Sequence, residues 1–102
     1  MKMYLISDNV DTLTGMRLAG IDGVVVHETQ EVEQQLDKIL KDREVGVLLI
    51  TEKLGDLVGE RLDYIKMNYQ TPLIVLIPDR HGSDRGLDSI TKYVREAIGL
   101  RI

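Results

Sequence analysis

Four short apolar runs, separated by stretches in which apolar residues recur every three or four positions, set the rhythm of this chain. The runs are Met3-Tyr4-Leu5-Ile6, Gly23-Val24-Val25-Val26, Val45-Gly46-Val47-Leu48-Leu49-Ile50 and Pro72-Leu73-Ile74-Val75-Leu76-Ile77-Pro78. The last three are continuously apolar instead of alternating, the pattern of strands covered on both faces by helices in a parallel sheet. Pro72 and Pro78 bracket the fourth run at its ends, where a missing N–H costs little.

The intervening stretches read as helices. Residues 30–42 place Val32, Leu36, Ile39 and Leu40 on one stripe, opposite Glu33, Gln34, Lys38 and Lys41. Residues 53–69 repeat the pattern as one helix with Leu54, Val58, Leu62, Ile65 and Tyr69 facing the sheet, and residues 87–98 do so with Leu87, Ile90, Val94, Ala97 and Ile98. A shorter first helix over residues 10–19 faces the core with Val10, Leu13, Met16 and Leu18 or Ala19, and Ser7 or Asp8 is expected to cap its free N–H groups.

The order is therefore βαβαβαβα. Right-handed crossovers then predict an α/β fold: a small, doubly wound, four-stranded parallel sheet, Rossmann-like or receiver-like, in the order 2-1-3-4 with helices on both faces. At 102 residues this is one domain, with a core over 1–78, a mobile loop over 79–86 and a C-terminal helix over 87–102.

Composition narrows the function. The chain has 43% hydrophobic and 29% charged residues, and no apolar run approaches the roughly 18 residues of a membrane span. The opening residues do not read as a secretory signal. The absence of cysteine fits a reducing cytoplasm and removes thiol catalysis, disulfides and thiolate zinc sites. Residues 1–52 carry 5 basic against 10 acidic side chains, and residues 53–102 carry 8 against 7. With no basic face, no Trp or Phe and four Tyr, nucleic acid is not an expected partner.

In an open parallel sheet ligands favour the carboxyl ends of the strands at the switch point, where Ser7, Asp8, Thr51 and Glu52 are expected. Asp8 and Glu52 supply only part of a shell for a hard cation, and both also suit helix starts. A phosphoacceptor receiver domain needs an Asp at the end of strand three and a Lys after a fifth strand; here strand three ends Ile50-Thr51-Glu52 and no fifth strand follows. The glycines of Thr14-Gly15-Met16-Arg17-Leu18-Ala19-Gly20-Ile21-Asp22-Gly23-Val24 match neither dinucleotide nor P-loop spacing. Gly20 and Gly23 fall at a helix end, where the dipole repels anions, so they read as a C-terminal cap and the entry to strand two. His27 and His81 are too few for a histidine metal site, and Asp79 and Asp84 balance Arg80 and Arg85 beside His81. No catalytic cluster, cofactor site or metal site emerges.

The same stretch resembles something specific. Thr14 to Ile21, with Asp11-Thr12 ahead and Gly23-Val24 behind, resembles the first-helix signature of the F subunit of V-type and A-type rotary ATPases (ATP synthases) of the prokaryotic type. Gly46-Val47-Leu48-Leu49-Ile50-Thr51-Glu52 and Pro72 to Pro78 add weaker matches, and the resemblance covers essentially the whole chain. Met16 stands where the family commonly has an aromatic residue.

That resemblance implies a non-catalytic component of the central stalk, cytoplasmic and peripheral to the membrane with no direct insertion. It would bind the coiled-coil D subunit of the stalk, lie close to the stalk component that meets the membrane ring, and turn with the shaft that couples the A/B catalytic head to proton or sodium transport. The family places its C-terminal helix, here Leu87 to Ile102, along the D subunit. Val94, Ile98, Leu100 and Ile102 are then expected in the partner interface, with Lys92, Arg95 and Arg101 at its rim, although Val94 and Ile98 serve equally well as sheet cover. Arg17 is either a solvated helix residue or a rotor contact. The other reading of these residues is a receiver-like or small-ligand regulatory domain using Asp8, Thr51 and Glu52.

Overall fold

The structure, a computed structural model, describes residues 2–78. The expected loop over 79–86 and helix over 87–102, with all their candidate site residues, lie outside the described residues.

The described chain runs β1 (Lys2–Ser7), α1 (Val10–Leu18), β2 (Asp22–Val25), α2 (Thr29–Lys41), β3 (Val45–Thr51), α3 (Glu52–Leu57), α4 (Gly59–Asn68) and β4 (Leu73–Ile77). The strands form one all-parallel sheet in the order β2-β1-β3-β4, as the apolar runs and crossover handedness predict. Leu5 pairs with Gly23 on one side and Leu49 on the other, and Leu49 pairs onward with Val75.

Alternation along each strand divides the core in two. Ile6, Leu48 and Ile50 face Val32, Leu36, Leu54, Leu62 and Ile65 from α2, α3 and α4. Leu5, Val47, Leu49, Val75 and Ile77 share the opposite cluster with Met16 and Ile21 from α1 and its exit. All seven residues of β3 are buried, which explains why its run shows no polar alternation. Each fully buried aliphatic of this kind contributes about 1.5–3 kcal/mol.

Four details correct the sequence expectation. The cap of α1 is Asn9 instead of Ser7 or Asp8: its Oδ1 accepts the N–H groups of Asp11 at 2.7 Å and Thr12 at 3.2 Å. Ser7 is occupied elsewhere, its hydroxyl donating to the Asn9 carbonyl and accepting the Asn9 N–H, both at 2.9 Å.

Second, α1 buries Thr12, Gly15 and Met16, while Val10 and Leu18 stand 64% and 77% exposed and Ala19 is exposed too. The small side chains at Thr12 and Gly15 let this flank of the helix, rather than the Val10 and Leu18 side, settle toward the sheet.

Third, the single helix over 53–69 is two. Val58 leaves the helical region at φ −126° and ψ 31°, yet remains buried, so the Leu54, Val58, Leu62 and Ile65 contacts survive the break. Gly55 and Gly59 flank it, and their low helix propensity lowers the cost of interruption. Fourth, Tyr69 follows the end of α4 in extended conformation and is 44% exposed, so it adds nothing to the expected stripe.

Candidate functional site

The exit of α1 is built as the glycine pattern predicts. The Gly20 N–H donates to the Arg17 carbonyl at 3.0 Å and the Ile21 N–H to the Met16 carbonyl at 2.8 Å, the paired bonds of a Schellman cap. Gly20 takes φ +85°, which only glycine adopts without strain, and Met16 and Ile21 complete the motif by packing in one cluster. The segment whose glycines suggest a phosphate loop thus turns its carbonyl end, and not its N–H end, toward them.

With Met16, Gly15 and Thr12 committed to the interior, the outward side of α1 carries Val10, Thr14, Arg17 and Leu18 at positions i, i+4, i+7 and i+8. Such a stripe is one continuous helix face. The Thr14 hydroxyl donates to the Val10 carbonyl at 3.0 Å. Arg17 approaches Asp22 at 3.6 Å, with side chains 60% and 76% exposed. A pair so open contributes little and leaves Arg17 available to another surface. Sequence reasoning singles out Arg17 but places Val10, with Leu18 or Ala19, in the core. The available signal is that apolar positions 10, 13, 16 and 18 span a wider arc than one sheet-facing stripe covers.

The second candidate region lies at the carboxyl ends of β1 and β3. Ser7 and Thr51 are fully or almost fully buried there, Asp8 is half-buried and Glu52 is exposed at the start of α3. Asp8 Oδ1 and Thr51 Oγ1 have no hydrogen-bond partner among the described residues. A hard cation finds few ligands: no cluster of three or more His, Cys, Asp or Glu side chains forms among the described residues. The Asp that phosphoacceptor chemistry requires at the end of β3 is replaced by Thr51, and Glu52 has already turned into the helix.

His27 is exposed after β2, its N–H donating to Glu31 Oε1 at 3.2 Å. The same oxygen accepts the Glu28 N–H at 3.1 Å, and these two amides, Glu28 first, hold the Glu31 carboxyl below its ordinary range. This is helix-start chemistry, with no nucleophile or base arranged against a third group. Lys92, Val94, Arg95, Ile98, Leu100, Arg101 and Ile102, like His81, Arg80 and Arg85, lie outside the described residues. No helix of the described residues is long and apolar enough to cross a membrane.

A family model described as ATP synthase (F/14-kDa) subunit matches residues 3–94. The A-type ATP synthase F subunit of Pyrococcus furiosus is 36% identical, the alignment covering 100% of this chain and 98% of that protein. The F subunit of the Thermococcus sibiricus A-type ATP synthase is 34% identical over the same shares, and that of Methanothermobacter thermautotrophicus is 32% identical over 90% of this chain and 88% of that protein. A family match over residues 3–94 and relatives 34–36% identical across the whole chain place it in the ATP synthase (F/14-kDa) subunit family, a non-catalytic component of the ATP synthase complex.

Proposed function

We propose that this protein is a central-stalk component of a V-type or A-type rotary ATPase, binding the coiled-coil D subunit through the outward face of α1 and helping couple ATP hydrolysis or synthesis to proton or sodium transport. The observation that carries the reading is the stripe of Val10, Thr14, Arg17 and Leu18, two of them exposed aliphatics, on the helix whose residues resemble the family signature. A coiled coil offers a matching partner: two rigid helices whose flanking positions expose aliphatic stems and charged e and g side chains, against which another helix packs ridges into grooves.

In this reading Val94, Ile98, Leu100 and Ile102 extend the surface along the D subunit, with Lys92, Arg95 and Arg101 at its rim. An interface of about 800 Å² per partner needs more than one helix face, which is the reason to join the two segments. The protein works on the cytoplasmic side, peripheral to the membrane, and reaches the A/B head and the component that links to the membrane ring through the shaft. It supplies a rigid body and a surface to the shaft, and no chemistry.

Binding of the purified chain to the D subunit tests this. A stable one-to-one complex is expected, with Leu18→Glu weakening it about tenfold or more and Arg17→Ala weakening it by a smaller factor. A wild-type chain that fails to associate with the D subunit overturns the reading. An intact complex in both variants removes α1 from the interface.

A further inference from the structure

The helices on the other side of the sheet carry a second outward stripe. In α4, Leu62 and Ile65 point into the core, and Glu60, Asp63, Tyr64 and Met67 lie opposite them at positions i, i+3, i+4 and i+7. That spacing brings four side chains into one file along the helix surface, as a partner helix requires. Tyr64 is 58% exposed and Met67 84%. Methionine adapts to irregular surfaces and tyrosine supplies a rigid amphipathic ring, so the pair suits binding better than solvation.

The charge on this file has one sign. Glu60 and Asp63 have no ion-pair partner among the described residues. The nearby Arg61 is already committed to Glu33 and Asp37 on α2. At the head of α4 the stripe opens into a shallow depression of about 690 Å³ lined by Leu57 and Val58 with Asp56, Glu60 and Glu33, and by Arg61, whose charge is already met by Glu33 and Asp37. An apolar centre with an acidic margin is complementary to an apolar stripe flanked by lysine or arginine.

The α1 stripe has the reverse character, its charged member being Arg17, and it lies on the opposite face of the sheet. One helix cannot cover both faces. The geometry points to a second partner: we infer that the Glu60, Asp63, Tyr64 and Met67 face of α4 docks a basic amphipathic helix of another component of the same complex, while α1 faces the D subunit. The protein is then a bridge between two neighbours. This rests on the stalk reading for what occupies α1.

Two double variants of the full chain, Tyr64→Ala with Met67→Ala and Glu60→Lys with Asp63→Lys, test it, since all four side chains are exposed and none belongs to the core. Each is measured against the isolated D subunit and against the ATPase assembled without this chain. The expected result is affinity for the D subunit within about twofold of wild type, with incorporation into the depleted ATPase weakened about tenfold or more. For the charge-reversed variant the defect should shrink as salt rises.

Incorporation at wild-type affinity overturns the inference. So does a parallel loss of binding to the D subunit, which would make that coiled coil the occupant of both faces. Sedimentation of the wild-type chain as a dimer that the variants abolish would assign the face to a second copy and overturn it as well. Failure of the wild-type chain to bind the D subunit, with α4-dependent incorporation retained, would sink the stalk reading and leave this one standing.

Discussion

A Cβ built on Gly23 would lie 2.6 Å from the Leu5 carbonyl oxygen and 2.7 Å from Leu5 Cβ, on the neighbouring strand, with Leu13 Cδ1 at 3.2 Å above it. Backbone and strand-borne atoms cannot swing aside, so Gly23→Ala should cost about 1–3 kcal/mol through overpacking. Gly59 is the contrast: beyond its chain neighbours and its own helix backbone no atom lies within 4 Å of a Cβ there, and its φ is not positive. Gly59→Ala at the start of α4 should therefore raise stability by roughly 0.5–1 kcal/mol. Urea unfolding of the two variants checks both, and equal stabilities would mean that β2 shifts freely away from β1. At this scale the sequence was partly legible. Gly20 could be placed at a helix end from its position after Leu18-Ala19. The reason for Gly23 could not, because the clash involves Leu5, eighteen positions earlier, and appears only once the Leu5–Gly23 register is known.

Among the elements, α2 was legible almost to the residue, since Val32, Leu36, Ile39 and Leu40 keep helical spacing and the rest of the helix is polar. The α3–α4 segment was not. The apolar positions 54, 58, 62 and 65 keep helical spacing across the break, so periodicity alone joins the two helices, and the only sequence signal was glycine on both sides of Val58. For α1 the count of apolar residues was misleading, because small Thr12 and Gly15 pack inward beside Met16 while Val10 and Leu18 do not. Between elements, Arg61 links α4 to α2 by donating to Glu33 at 3.1 Å and to Asp37, with its side chain 31% exposed. We expect Arg61→Ala to lower stability by about 0.5–1 kcal/mol at low salt. Arg61→Lys should restore less than half of that, since an ammonium cannot reproduce the fork to two carboxylates. In about 1 M salt the differences should contract, and persistence at full size would show that packing of the guanidinium stem dominates.

For the whole molecule, pH provides a reading of how local contacts sum. Glu31 is held below its ordinary 4.5 by the Glu28 and His27 amides, and Asp42 below 3.8 by its hydrogen bond with Lys2 and the Glu44 amide. A carboxyl with a depressed folded-state pKa stabilises the protein above its unfolded value and loses that contribution as pH falls through the folded one. Lys2, raised above 10.5 chiefly by Asp42, works in the opposite sense: its contribution is complete below 10.5 and is lost as pH rises through the folded value. Stability should thus decline below about pH 4.5, and Glu31→Gln should be less stable near neutrality yet show a shallower acid decline. Denaturation midpoints from about pH 3 to 7 measure this, and parallel curves for the two proteins would contradict it.

The position of β1 inside the sheet, between β2 and β3, also governs how the chain reaches this form. Among the described residues no two strands are joined by a hairpin, so every pairing waits for a helix to be traversed, and assembly is slower than in a helical bundle of equal length. The delay is eased by order of synthesis. The β1-α1-β2 unit is complete by Val25, so it can close as it leaves the ribosome, its Schellman turn aiming the chain back along β1. That leaves the other side of β1 for β3, and β4, which pairs with β3 alone, can join only after it.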